Sequence, residues 1–139
     1  MLKPIKTILL SLSVLLIACA SGDIKPVPIE YGDMCSFCRM AISEKQFASQ
    51  IITPDERVHK FDDIGCLLRF RKTTGDQAKE AAIFVTDHDS HQWLRAEKAF
   101  FVRSTSVKTP MGSGILAYGD QAKAGDGSMT FAALTASGQ

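Results

Sequence analysis

Short apolar segments separated by turn-forming residues run through the chain from residue 47, and this spacing constrains the fold most strongly. Residues 47–52 and 57–61 are rich in apolar and β-branched side chains, and Pro54-Asp55-Glu56 between them is typical of a turn. The two segments therefore predict a β-hairpin.

A helix is predicted directly after the hairpin. Apolar residues recur at helical spacing from Phe61, and either Asp62 or Asp63 can cap the N-terminus. Basic residues crowd the predicted last turn, where cations suit the helix dipole, and Gly75 ends the segment. Gly65 weakens the helix by about 1 kcal/mol relative to alanine. Residues 82–85 then predict a short buried strand.

The second half repeats this order loosely, without repeating the residues themselves. Residues 99–102 and 114–118 resemble strands, residues 120–124 predict a very short helix, and residues 129–134 form a final apolar segment. The sequence therefore predicts an α+β fold of two small ββαβ-like units in one compact domain.

The N-terminus has the pattern of a secretory signal. Lys3 and Lys6 precede an apolar run over residues 8–18, which is shorter than the roughly 20 residues of a membrane-spanning helix. The run ends in Leu-Ile-Ala-Cys19, which resembles a bacterial lipobox, so Cys19 is the expected lipid attachment site. The alternative is an ordinary signal peptide that is cleaved after Ala18 or Ala20.

This interpretation divides the chain into a signal peptide over residues 1–18, a flexible tether over residues 19–30 and a domain over residues 31–139. The expected location is the periplasmic face of a bacterial membrane. The residue after Cys19 is alanine and not aspartate, which favours the outer membrane.

Charge and cysteine content exclude several classes of protein. Without the two lysines of the signal region, 14 basic and 15 acidic side chains remain, and no basic stripe indicates nucleic-acid binding. With Cys19 lipidated, three cysteines remain, so at least one thiol lacks an intramolecular disulfide partner. A scaffold held together by disulfides would use more cysteines, in an even number.

Residues 35–40 concentrate sulfur, since Cys35, Cys38 and Met40 fall within six positions. Thiolates and thioethers are soft ligands that favour Cu(I), Zn(II) and iron–sulfur clusters. Three functions are compatible with this pattern: a Cu(I) carrier, a thiol–disulfide oxidoreductase that uses the Cys-x-x-Cys pair, and a structural zinc module. The oxidoreductase is disfavoured because no thioredoxin-like βαβ pattern surrounds the motif.

Several motifs occur in a fixed order along the chain. A lipobox is followed by Cys35-x-x-Cys38-x-Met40, Phe61-Asp-Asp-x-x-Cys66 and Thr109-Pro-Met-Gly112. This series resembles the NosL family, the copper-binding lipoproteins that accompany nitrous oxide reductase, and the resemblance covers about residues 31–118.

The resemblance implies a non-enzymatic Cu(I) chaperone that supports nitrous oxide reductase or its maturation machinery, with a core similar to organomercurial lyase. The copper ligands that it implies are Cys35, Cys38, Met40 and Met111. The family usually has glycine at the position of Arg39. The turn therefore either differs here or does not need a positive φ.

The other sulfur and imidazole groups have a simpler interpretation beside the functional one. Cys66 lies among apolar residues of the predicted helix, which indicates a buried thiol, and its alternative is a third metal ligand. His88 and His91 lie in a polar loop as possible additional ligands. Met34 and Met129 are interpreted as structural, Asp62 and Asp63 as helix caps, and core packing is the competing role for Met40 and Met111.

Overall fold

The computed structural model describes residues 23–75 and 80–138. The signal peptide and Cys19 therefore lie outside the described residues. Among those residues, no helix is long and apolar enough to cross a membrane. The elements in chain order are β1 (Ser49–Ile52), β2 (Val58–Phe61), α1 (Ile64–Thr74), β3 (Ala82–Thr86), β4 (Trp93–Arg95), β5 (Phe100–Arg103), β6 (Ile115–Tyr118), α2 (Gln121–Ala124), β7 (Met129–Thr130) and α3 (Phe131–Ala136).

The first sheet has the order β2-β1-β3-β4, and all neighbouring strands are antiparallel. The β1–β2 turn is fastened by Thr53, whose hydroxyl donates to Asp55 at 2.6 Å and accepts from the Arg57 backbone N–H at 3.1 Å. All four residues of β1 are buried, as expected for a central strand.

Helix α1 begins after Asp63, whose side chain accepts a hydrogen bond from the Gly65 backbone N–H at 2.7 Å. This is the N-cap interaction that satisfies one of the free N–H groups of a first helical turn. Cys66 and Leu67 are fully buried, and the basic residues of the last turn precede the Gly75 C-cap. The predicted cap, helix and stop are therefore confirmed.

The second sheet has the order β6-β5-β7 and repeats the topology of the first. In each unit the first strand lies between the second and the third, the pairs are antiparallel, and a helix connects the second strand to the third. The predicted α+β fold of two ββαβ-like units agrees with this arrangement. Strand β4, which extends the first sheet, was not predicted. The final apolar segment, residues 129–134, was predicted to complete the second unit as a strand, but only Met129–Thr130 is a strand and helix α3 follows it directly. Trp93 in β4 is half-buried.

The two units share one buried core. A single hydrophobic cluster contains Ile51, Phe61 and Leu67 from the first unit and Phe101 and Ile115 from the second. The units also join through backbone contact, since the His88 N–H donates to the Ala117 carbonyl at 2.8 Å. One compact domain results, because neither small unit buries its apolar face alone.

The last residues of the expected tether lie against the domain. The backbone N–H and carbonyl of Val27 both bond to the Gln50 side chain at 2.9 Å, and Ile29 is buried. The Lys60 ammonium donates to the Pro28 carbonyl at 2.8 Å. The chain is thus held against the domain at residues 27–29, through the buried Ile29 and the backbone bonds to Gln50 and Lys60.

Candidate metal centre

The loop that carries Cys35 and Cys38 is closed on itself by backbone hydrogen bonds. The Cys35 N–H donates to the Met40 carbonyl at 2.8 Å, and the Arg39 N–H donates to the Cys35 carbonyl at 3.1 Å. The Ser36 N–H donates to the Lys60 carbonyl at 2.7 Å, which fastens the loop to β2. Both thiols are therefore held near the end of β2, where the chain continues into Asp62.

The loop requires a left-handed backbone at Arg39, whose φ is 64°. Of the two alternatives for this turn, the one without a positive φ does not apply, since the exposed arginine itself adopts the left-handed conformation. A non-glycine residue in this conformation costs about 1–2 kcal/mol. The loop tolerates this cost because the bonds at Cys35 and the docking on β2 fix its path.

Three thiols and one carboxylate meet at this point. One sulfur or oxygen atom from each of Cys35, Cys38, Cys66 and Asp62 lies within 4.8 Å of the others. Sulfurs bound to one ion at about 2.3 Å are at most about 4.6 Å apart. Small movements of the side chains are therefore enough to bring the donors around one metal ion.

Cys35 is the most acidic thiol of the cluster. Its pKa is lowered to about 6 by the thiol hydrogen bond from Cys66, with burial opposing, and by the backbone N–H groups of Cys38, Asp62 and Phe37. The pKa of Cys66 is raised, first because it donates to Cys35 and then because it is buried. Cys35 therefore loses its proton more readily than an ordinary thiol, and the thiolate is the form that binds metal.

Cys38 lies at the solvent side of the cluster. It is half-buried, whereas Cys35 and Cys66 have no exposed surface. Its thiol donates to the two Asp62 carboxylate oxygens at 3.5 and 3.6 Å. Burial raises its pKa, and the charges of Cys35 and Asp62 add to the effect. Among the three clustered cysteines, Cys38 is therefore the one that an incoming ion or partner reaches first.

Asp62 was missed as a member of the site because the sequence assigned it, with Asp63, to the helix cap. Asp63 alone makes the cap, and the Asp62 side chain is buried against the thiols. The signal was available, because two consecutive aspartates cannot both occupy one N-cap position. The second carboxylate is therefore not needed for the cap, and its role depends on the fold.

The two candidate methionine ligands have exposed side chains. The side chains of Met40 and Met111 are 59% and 37% accessible, so core packing accounts for neither. Met40 follows Cys38 by two residues, and the Met111 backbone N–H donates to Asp63 at 3.0 Å. The fold thus brings residues 34–41 and the Thr-Pro-Met-Gly segment to the same end of α1.

The two candidate histidine ligands lie outside the cysteine cluster. The His88 ring stacks on Phe47 at 5.9 Å and meets the edge of Tyr118 at 5.7 Å, and His91 is exposed in the loop after β3. Among the described residues, the cysteine cluster includes neither of them. Met34 is 52% exposed, whereas Met129 packs against the core as expected of a structural residue.

Comparison with known proteins gives one family and one similar structure. The NosL family model matches residues 26–132. The crystal structure of the copper chaperone NosL from Shewanella denitrificans is similar to this chain, with 21% sequence identity and a TM-score of 0.60. The match covers 72% of this chain and 82% of that one. No curated protein sequence matches the chain.

Proposed function

Because the chain belongs to the NosL family, we propose that it is a Cu(I)-binding chaperone that carries copper as cargo. NosL proteins are copper chaperones and not enzymes, and the similar structure is named a copper chaperone. The observation that carries the proposal in this chain is the convergence of Cys35, Cys38 and Cys66 within 4.8 Å.

The donor chemistry favours Cu(I) over harder cations. Thiolates and thioethers suit a soft ion, whereas the Asp62 carboxylate is a harder donor that Cu(I) does not require. We propose Cys35, Cys38, Met40 and Met111 as the copper ligands, with Cys66 as the third thiol. Thioethers bind more weakly than thiolates but form no disulfides, which suits a carrier outside the cytoplasm.

The proposed ligands differ in solvent exposure, and this arrangement suits the transfer of copper to another protein. Cys35 and Cys66 are buried, Cys38 is half-buried, and Met40 and Met111 are exposed. A recipient protein can replace the exposed ligands first and withdraw the ion without unfolding the core. The proposed recipient is nitrous oxide reductase or its maturation machinery. The proposed location is the periplasmic face of a membrane, with lipid on Cys19, on the strength of the lipobox pattern.

The test is a competitive Cu(I) titration of the reduced full chain in detergent, with a chromophoric chelator as the competitor. We expect one tightly bound Cu(I) per chain and weaker binding in Cys38→Ser and Met111→Leu. Met129→Leu is the matched control, because Met129 lies in β7, an edge strand of the second sheet, and packs against the core. If neither Cys38→Ser nor Met111→Leu changes the affinity, the ligand assignment is wrong.

The same preparation separates the rival functions. Zn(II) that binds as tightly as Cu(I), with no contribution from Met111, would support a structural zinc module. Reduction of a test disulfide at catalytic rates would support a thiol–disulfide oxidoreductase. We expect neither result, because the exposed methionines have no role in either chemistry.

A further inference from the structure

Asp63 has a buried carboxylate with an unusually complete set of hydrogen bonds. It has no exposed surface, and among the described residues no ion pair involves it. It accepts from the Gly65 N–H at 2.7 Å, the Thr109 hydroxyl at 2.6 Å, the Met111 N–H at 3.0 Å and the Ser113 hydroxyl. A buried charge is costly unless it is hydrogen-bonded in this way.

Three of the four donors come from a segment that has no helix or strand of its own, residues 109–113. The Thr109 hydroxyl also accepts from the Gly114 N–H at 3.1 Å, and the Gly112 N–H donates to the Thr109 carbonyl at 2.9 Å. The position of this segment against α1 is therefore set mainly by one carboxylate. A helix cap alone needs only the Gly65 bond.

We propose that Asp63 is the positioning residue of the copper site, because it fixes the Met111 segment at the same end of α1 as the thiols. The inference rests on the proposed function, in which Met111 is a ligand. The two neighbouring carboxylates have different roles. Asp62 contacts the Cys38 thiol, and Asp63 holds the segment that contains Met111.

Close packing supports the same arrangement. A Cβ atom added at Gly65 would lie 2.6 Å from the Ser113 Cβ and 3.1 Å from an Asp63 oxygen. Real Cβ atoms essentially never approach another side-chain carbon as closely as the first of these distances. The absence of a side chain at Gly65 is therefore what lets the segment approach the first turn of α1, in addition to its hydrogen bonds with Asp63.

The experiment compares Asp63→Asn and Ser113→Ala with the wild-type full chain. The Asp63→Asn substitution keeps a polar side chain but places an N–H₂ group among donors, whereas Ser113→Ala removes one donor and leaves the others. The control is Asp120→Asn, because Asp120 caps α2 through the Ala122 N–H at 2.9 Å and is exposed. Each protein carries ¹³C-methyl methionine, so that each thioether reports on copper separately.

We expect Asp63→Asn to weaken Cu(I) binding by about 10- to 100-fold, the range for outer-shell substitutions, and Ser113→Ala to weaken it less. The Met111 methyl shift caused by Cu(I) should shrink in both variants, while that of Met40 persists. In a Met111→Leu background, Asp63→Asn should cost little further affinity. Asp120→Asn should change none of these quantities.

Two outcomes would overturn the inference. In the first, Cu(I) shifts the Met111 methyl signal equally in the wild type and in a folded Ser113→Ala or Asp63→Asn protein. In the second, Asp63→Asn lowers the Cu(I) affinity as much in the Met111→Leu background as in the wild type. The failure of the proposed function is distinct, because Cu(I) would then leave the Met111 methyl of the wild-type protein unshifted.

Discussion

Replacing Arg39 with glycine should stabilise the metal-free protein, because the backbone at this position has a φ of 64° and the side chain is exposed. Relief of the left-handed conformation is worth about 1–2 kcal/mol. Glycine loses more backbone entropy on folding, which offsets about 0.5–1 kcal/mol of this gain. The expected net increase in the free energy of unfolding is about 0.5–1 kcal/mol.

Urea unfolding of the reduced protein measures this change as a higher midpoint with an unchanged m-value. Glu56→Gly is the matched control, since Glu56 is exposed with a φ of 62° in the β1–β2 turn, far from the thiols in sequence. It should give a similar gain. Asp126→Gly should instead destabilise the protein. Asp126 is exposed and its φ is not positive, so glycine relieves no strain there and only loses more backbone entropy on folding.

The affinity for Cu(I) should stay unchanged in Arg39→Gly, because the backbone bonds between Cys35 and residues 39 and 40 already impose the turn. A protein that is less stable after Arg39→Gly, beside a Glu56→Gly protein that is more stable, would refute the reasoning. The arginine side chain would then make a stabilising contribution larger than the backbone cost.

Three further predictions concern the surroundings of the site. Cys66→Ala should lower Cu(I) affinity in the chelator titration, whereas a purely structural Cys66 would change only the unfolding midpoint. The Lys60 hydrogen bond lowers the pKa of Asp33. Asp33→Asn should therefore lower the free energy of unfolding by less than about 1 kcal/mol. In urea unfolding at different pH values, this difference should be present above about pH 4 and vanish as the pH falls through the lowered pKa. Gly65→Ala should lower the thermal midpoint despite the better helix propensity of alanine, because its Cβ meets Ser113; a higher midpoint would contradict this packing.

The sequence predicted those parts of the fold that depend on local interactions. The β1–β2 turn follows from Pro54-Asp55-Glu56, and helix α1 follows from an aspartate cap, helical spacing and a terminal Gly75. These interactions involve residues that are close together in the chain, so the local sequence pattern is enough to predict them. Strand β4 was missed because its three residues are too few to show a strand pattern in the sequence. They form a strand only because they pair with β3.

The candidate site was predicted only in part, for the same reason. The spacing of Cys35, Cys38 and Met40 is visible in the sequence, and the family resemblance added Met111. Asp62 escaped notice because its role depends on the loop of residues 34–41 docking on β2.

The sequence by itself therefore determined which sulfur-containing side chains this protein has and in what order, since sulfur content and motif order are properties of the chain. Only the tertiary structure decided how they are arranged. It buries Cys35 and Cys66, leaves Cys38 half-open and exposes Met40 and Met111. The physical reason is that exposure, thiol acidity and donor distance arise from contacts between segments that lie far apart in the chain, which no local pattern records.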